Sequence, residues 1–155
     1  MQQDVNGYWY SVSELPTLLT LPYYPEQPKT ESGIIRDFLN VHGLEYDRFG
    51  FSVRVGRGAT ADPTHLPEIQ ALARWWYAKR LDLIAFRGPN PTLIEAKRRI
   101  TQAVLGQLFS YRALWLQDNP DAPEPRLLAI GRWIDPDMQS VLAAHGIDAY
   151  TYAAD

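Results

Sequence analysis

Leu81-Asp82-Leu83-Ile84-Ala85-Phe86-Arg87-Gly88-Pro89-Asn90-Pro91-Thr92-Leu93-Ile94-Glu95-Ala96-Lys97 is the stretch on which the reading of this chain turns. Two short apolar runs flank Arg87-Gly88-Pro89-Asn90-Pro91, a segment dense in turn-forming residues. Leu81–Phe86 and Thr92–Lys97 therefore read as two strands of a hairpin. With the turn centred between Gly88 and Pro89, Asp82 faces Glu95. Alternation along a strand puts Glu95 and Lys97 on one face. Two carboxylates and one ammonium thus meet on strands whose other members are Leu81, Leu83, Ile84, Leu93 and Ile94. Charge in such a setting is costly unless it is paired or bound to a metal.

Upstream of the hairpin, Thr30 is placed to cap a helix beginning at Glu31, with Ile34, Ile35, Phe38, Leu39 and His42 at helical spacing and Gly43 as the stop. Residues 44–57 read as extended, Phe51, Val53 and Val55 alternating against Ser52 and Arg54. Gly56, Gly58 and Pro63 break the chain into a loop, and Pro67 opens a short helix through Ala73. Downstream, Ile100, Val104, Leu108, Tyr111 and Trp115 fall on one helical stripe over about 100–117. Arg126 to Trp133 reads as a third apolar strand. Asp135 caps a helix with Pro136 at its first position and Gly146 at its end, and Ile147 to Tyr152 alternates as a last strand. The order predicts one α/β domain over 30–155, a mixed central sheet flanked by helices, with a helical crossover between parallel strands.

Residues 1–29 read as a separate extended arm, because Pro16, Pro22, Pro25 and Pro28 preclude a long helix. Its aromatics, among them Tyr8-Trp9-Tyr10 and Tyr23-Tyr24, suit packing onto the domain or a protein partner, self-association included, and alternatively stacking on bases.

The 155 residues suffice for one core, and 46% hydrophobic with 21% charged residues excludes disorder as the default. No cysteine is present, which excludes a disulfide scaffold, a cysteine nucleophile and a thiolate zinc site. No apolar run reaches membrane-span length and the N-terminus lacks signal-peptide features, so a cytoplasmic setting is expected, or a virion-associated one for a phage-encoded chain. Net charge is −3, yet Arg74–Arg112 carries eight basic and two acidic residues. That local positive field suits an anion. The histidines have no metal-ligand spacing, and Gly56-Arg57-Gly58 lacks the context of a phosphate loop.

Facing carboxylates repel, and a divalent cation removes the repulsion; Mg²⁺ takes one or two carboxylates and completes its shell with water and phosphate oxygens. A lysine beside it orients or deprotonates a water. The competing reading is a set of ordinary salt bridges at a sheet edge. Of the three lysines, Lys29, Lys79 and Lys97, only Lys97 has a carboxylate two residues before it.

Asp82, twelve intervening residues, then Glu95-Ala96-Lys97 resembles the signature of the PD-(D/E)XK nuclease superfamily, and the order from residue 30 onward resembles its αβββαβ, restriction-endonuclease-like core. Lys79-Arg80-Leu81 precedes Asp82 where some members carry a proline. Gln107 and Tyr111, four apart on one helix face, resemble the Gln-x-x-x-Tyr element of the RecB-like and lambda-exonuclease-like branch. The resemblance implies a Mg²⁺- or Mn²⁺-dependent deoxyribonuclease. Asp82, Glu95 and the Ala96 carbonyl are its implied metal ligands, Lys97 orients the attacking water, and Gln107 and Tyr111 support the site. Glu31 is either an additional acidic ligand or an ordinary first-turn acid favoured by the helix dipole. Arg98, Arg99 and Arg112 are implied phosphate contacts, or plain surface arginines. Two other readings stand beside this: a catalytically silent DNA-binding or assembly protein on the same fold, such as a phage particle or packaging component, and a compact binding module with chance charges.

Overall fold

The computed structural model describes residues 1–58 and 62–154. Seven strands form one mixed sheet in chain order: β1 (Gln2–Gln3), β2 (Tyr8–Ser11), β3 (Arg48–Val55), β4 (Lys79–Arg87), β5 (Asn90–Ile100), β6 (Arg126–Ile134) and β7 (Ile147–Thr151). β1 through β5 are antiparallel neighbours, and β5, β6 and β7 run parallel. The helices are α1 (Leu15–Leu18), α2 (Lys29–His42), α3 (Pro67–Tyr77), α4 (Gln102–Asp118) and α5 (Pro136–Ala144). From α2 onward the order α2-β3-β4-β5-α4-β6 is the expected αβββαβ, with α3 inserted between β3 and β4. No helix among the described residues is long and apolar enough to cross a membrane.

Two cores sandwich the sheet. Ile34, Ile35, Phe38 and Leu39 of α2 pack on Phe49, Phe51, Leu83, Ala85, Ile94 and Ile130. On the other face, Val104 and Leu108 of α4 and Met138 and Leu142 of α5 cover Val53, Leu81, Ile84, Leu93 and Ala129. Both faces are covered, so the strands are apolar on both sides rather than cleanly alternating.

Several element boundaries differ from the sequence reading. α2 starts at Lys29 with Pro28 as its N-cap, so Thr30 lies inside the first turn and does not cap it. α3 runs on past Ala73 to Tyr77, and β4 begins at Lys79 rather than Leu81. Asp135 stands at the N-cap of α5 without a side-chain capping bond; its carboxylate accepts from Arg99 Nε at 2.6 Å instead. Residues 1–28 supply β1 at the sheet edge, β2 between β1 and β3, and α1, and Leu15, Leu18 and Tyr24 are core residues. Tyr24 stacks on Phe51 with centroids 4.9 Å apart.

The alternation expected in β3 also breaks. Phe51 faces the α2 side while Val53 and Val55 face the α4 side, which a period of two does not allow. The cause is Ser52, at φ +49°, a left-handed conformation that turns the strand over. Its hydroxyl donates to Pro25 O at 2.7 Å and accepts from Gln27 Nε2 at 3.1 Å, which holds the conformation. β4 switches faces at the same level: Leu83 belongs to the α2 core and Leu81 to the other.

The parallel β5–β6 pair needs close approach beside Lys97. Gly131 pairs with Lys97, and a Cβ at Gly131 would lie 2.5 Å from the Lys97 carbonyl oxygen and 2.9 Å from Ile100 Cγ1. Gly131→Ala is expected to destabilise the fold by about 1–3 kcal/mol, because backbone must move to admit the methyl group. A urea melt with a midpoint equal to wild type would contradict this.

Candidate functional site

The hairpin register is the one the turn dictates. Arg87 pairs with Asn90 across Gly88-Pro89, Gly88 has φ +57°, and the ladder continues to Leu83 opposite Ile94. There the recorded β4–β5 pairing stops, one position before Asp82 and Glu95, while β4 stays paired to β3 as far as Lys79. Asp82 Oδ2 accepts the Ala96 N–H at 2.8 Å, so a side chain takes over a donor of β5 where the ladder ends. A cavity of about 590 Å³ opens at this place.

Asp82, Glu95, Ala96 and Lys97 line this cavity together with Glu31, Gln107 and Tyr111. Glu95 is 3% exposed. Its Oε1 lies 3.5 Å from Lys97 Nζ, and its Oε2 is buried with no hydrogen-bond partner among the described residues. Burial and the neighbouring Asp82 charge push the Glu95 carboxyl upward, and Lys97 only partly offsets them. Burial also raises Asp82, against the pull of the Ala96 N–H, Gln27 and Lys97. Two carboxyls that both resist ionisation side by side are a pair in need of a proton or a cation. The Lys97 side chain is 38% exposed, so its ammonium sits between the buried pair and solvent. Tyr111 is buried near both acids; burial first, then their charges, raise its hydroxyl pKa, so it stays a neutral donor. Gln107 Oε1 is buried without a partner among the described residues.

Glu31 lines the cavity, and among the described residues no three or more His, Cys, Asp or Glu side chains form a metal-holding cluster. The expected arginines lie elsewhere. Arg98, Arg99 and Arg112 do not line the cavity. Arg99 pairs with Asp135 and its guanidinium lies 4.1 Å from the Trp133 ring centroid. Arg112 is 3.7 Å from Glu124 and lies over Phe109. Arg98 is exposed.

Other residues complete the cavity. Gln27 Nε2 reaches the Asp82 carbonyl at 3.4 Å as well as Ser52. Glu26 is engaged by Arg54 (2.7 and 2.9 Å) and by Arg80 (2.9 Å). Lys79 and Arg80 supply the cationic lining, and Trp76 and Tyr77 form part of the wall. Lys79 and Arg80 had a signal in the sequence, since they stand three and two residues before Asp82 in one strand. Gln27 and Ser52 had none, because no periodicity links them to the hairpin. A larger cavity, about 840 Å³, is lined by Trp9, Arg48, Phe86 and Trp115 and not by Asp82, Glu95 or Glu31.

No family model and no curated protein matches the chain. Two solved structures are similar in part. One is a repair endonuclease from Pyrococcus abyssi, at 11% identity and TM-score 0.48, over 84% of this chain and 50% of that one. The other is the EndoMS–dsDNA2 complex, at 14% identity and TM-score 0.46, over 86% of this chain and 48% of that one. This chain spans about half the length of each.

Proposed function

We propose that the protein is a divalent-metal-dependent nuclease that hydrolyses DNA phosphodiester bonds. One observation carries the reading: Asp82, Glu95 and Lys97 converge at a split between two strands, with a buried Glu95 oxygen left unpartnered. The donor set fits a hard cation. The cavity lining offers carboxylate and carbonyl oxygen and contains neither histidine nor cysteine. Asp82 and Glu95 would hold Mg²⁺ or Mn²⁺, with the Ala96 carbonyl as a third oxygen by family resemblance.

When bound, the cation supplies a Lewis-acid charge that neutralises the carboxylates and favours negative charge on the phosphate. Lys97 orients the attacking water through an N–H donor and offsets charge building on the phosphate oxygens. Tyr111, held neutral, and Gln107 fix the inner wall. Lys79 and Arg80 draw the phosphate backbone toward the cavity.

The test joins binding to activity. Mn²⁺ is expected to raise the melting temperature of the wild-type protein, since a ligand that binds only the folded state stabilises it. Plasmid and oligonucleotide DNA are expected to be cleaved in Mg²⁺ and left intact in EDTA. Neither a metal-dependent shift nor cleavage would return the chain to the alternative of a silent DNA-binding or assembly protein.

A further inference from the structure

The end of α3 reads Trp75-Trp76-Tyr77, and the three rings are treated differently. Trp75 is turned inward: the Arg54 guanidinium lies 3.4 Å from its ring centroid and the edge of Tyr8 meets it at 5.8 Å. Trp76 and Tyr77 are 68% and 67% exposed and line the same cavity as Asp82, Glu95 and Lys97.

Their backbone is nevertheless fixed. Arg54 Nε donates to Trp75 O at 3.0 Å, and Arg74 donates to Gly56 O at 3.1 Å and to Asn6 Oδ1 at 2.7 Å. Gly58 lies so close that a Cβ there would fall 2.4 Å from the Tyr77 carbonyl carbon. The helix end is therefore clamped from one strand and two loops while its two outer rings are presented to solvent. Large apolar side chains held out in this way on a fixed backbone mark a binding surface.

The occupant follows from what adjoins the rings. Lys79 and Arg80 follow within three residues and share the cavity wall, Arg80 also paired with Glu26, so the rings adjoin cationic side chains that suit a ligand carrying negative charge together with a planar apolar group. A nucleotide has both. In a duplex the base faces are already stacked on one another, and the grooves offer only edges and phosphates. Aromatic rings at a cavity mouth gain most from bases that are unpaired.

We propose that Trp76 and Tyr77 are a stacking platform for unpaired nucleobases, and that the preferred substrate is single-stranded DNA or a frayed end. The statement about substrate rests on the nuclease reading; the stacking itself does not. The measurement is fluorescence anisotropy in EDTA of a labelled oligothymidylate of about twelve nucleotides, against a duplex of the same length. The single strand is expected to bind more tightly. Trp76→Ala weakens its binding about tenfold, Trp76→Phe restores most of it, and duplex binding moves by less than about twofold. Circular dichroism melts check that the variants remain folded.

Unchanged oligothymidylate affinity in Trp76→Ala, or tighter binding of duplex by wild type, overturns the platform. So does a Trp76→Ala variant that dissociates a dimer, seen by sedimentation, without altering oligonucleotide binding; the exposed Leu66, Ile69 and Leu72 nearby would then be part of a self-contact. The two readings fail separately. Trp76-sensitive binding with no cleavage of any DNA in Mg²⁺ removes the nuclease and keeps the platform. Equal cleavage of single and double strands by wild type and Trp76→Ala removes the platform and keeps the nuclease.

Discussion

Lys97→Ala is expected to slow Mg²⁺-dependent DNA cleavage by about 10²–10⁴-fold, the range associated with losing one positioned proton-handling group. The fold should survive, because the side chain reaches solvent and, among the described residues, its one ion pair is with Glu95. Asp82→Asn tests the same centre from the other side. Alanine there would orphan the Ala96 N–H, which costs about 1–3 kcal/mol in a buried setting. Asparagine retains an oxygen for that donor and removes only the charge. Without metal, Asp82→Asn is expected to melt at or above the wild-type temperature, because a repulsion is relieved. With Mn²⁺ the wild type should gain stability and the variant should not, and cleavage by the variant should fall to background. Wild-type cleavage rates in both variants would remove Asp82 and Lys97 from the chemistry.

The second large effect is on stability and lies beside the cavity. The Arg54 side chain is 1% exposed and its charge is met by Glu26, with further bonds to Ser52 O and Trp75 O. Glu26→Ala leaves a buried guanidinium uncompensated and is expected to cost about 3 kcal/mol, the lower end for breaking a buried pair, since Glu26 is itself a quarter exposed. The pair also fixes an acid limit. Burial raises the Glu26 carboxyl, but Arg54 and Arg80 more than offset it and hold the group below its ordinary value of 4.5. A depressed acid contributes its full stabilisation above the unfolded value and loses it as pH falls through the folded one. Wild-type stability should therefore decline below about pH 4.5 more steeply than that of Glu26→Gln. Urea melts from pH 3 to 7 measure this; parallel curves for the two proteins would show that Glu26 does not carry the effect.

How far the sequence could be read depended on how local the determinant was. The hairpin register is set by a two-residue turn, so Leu83 opposite Ile94 could be deduced from Gly88-Pro89 alone. The stripe Val104, Leu108 and Tyr111 marked the buried face of α4 because periodicity is a property of neighbours. The reading failed where one residue's backbone was set by distant partners. Ser52 turns β3 over because Pro25 and Gln27 hold its hydroxyl, and nothing between residues 44 and 57 signals that. Residues 1–29 read as an arm because their prolines exclude a long helix. Their strand pairing with β3 depends on Phe49 and Phe51, remote in sequence.

By itself the sequence determined the α/β class, the αβββαβ order and the bringing together of Asp82, Glu95 and Lys97, since each follows from spacing within about fifteen residues of a turn or a helical stripe. Only the tertiary structure decided that β4 and β5 part just beyond Leu83 and Ile94, that Glu26 and Gln27 line the cavity from a segment more than fifty residues before Asp82, and that Arg99 and Arg112 pair with acids outside it. The physical reason is that spacing fixes which side chains share a face, whereas satisfying buried charge and backbone donors requires partners that only the packed chain brings within reach.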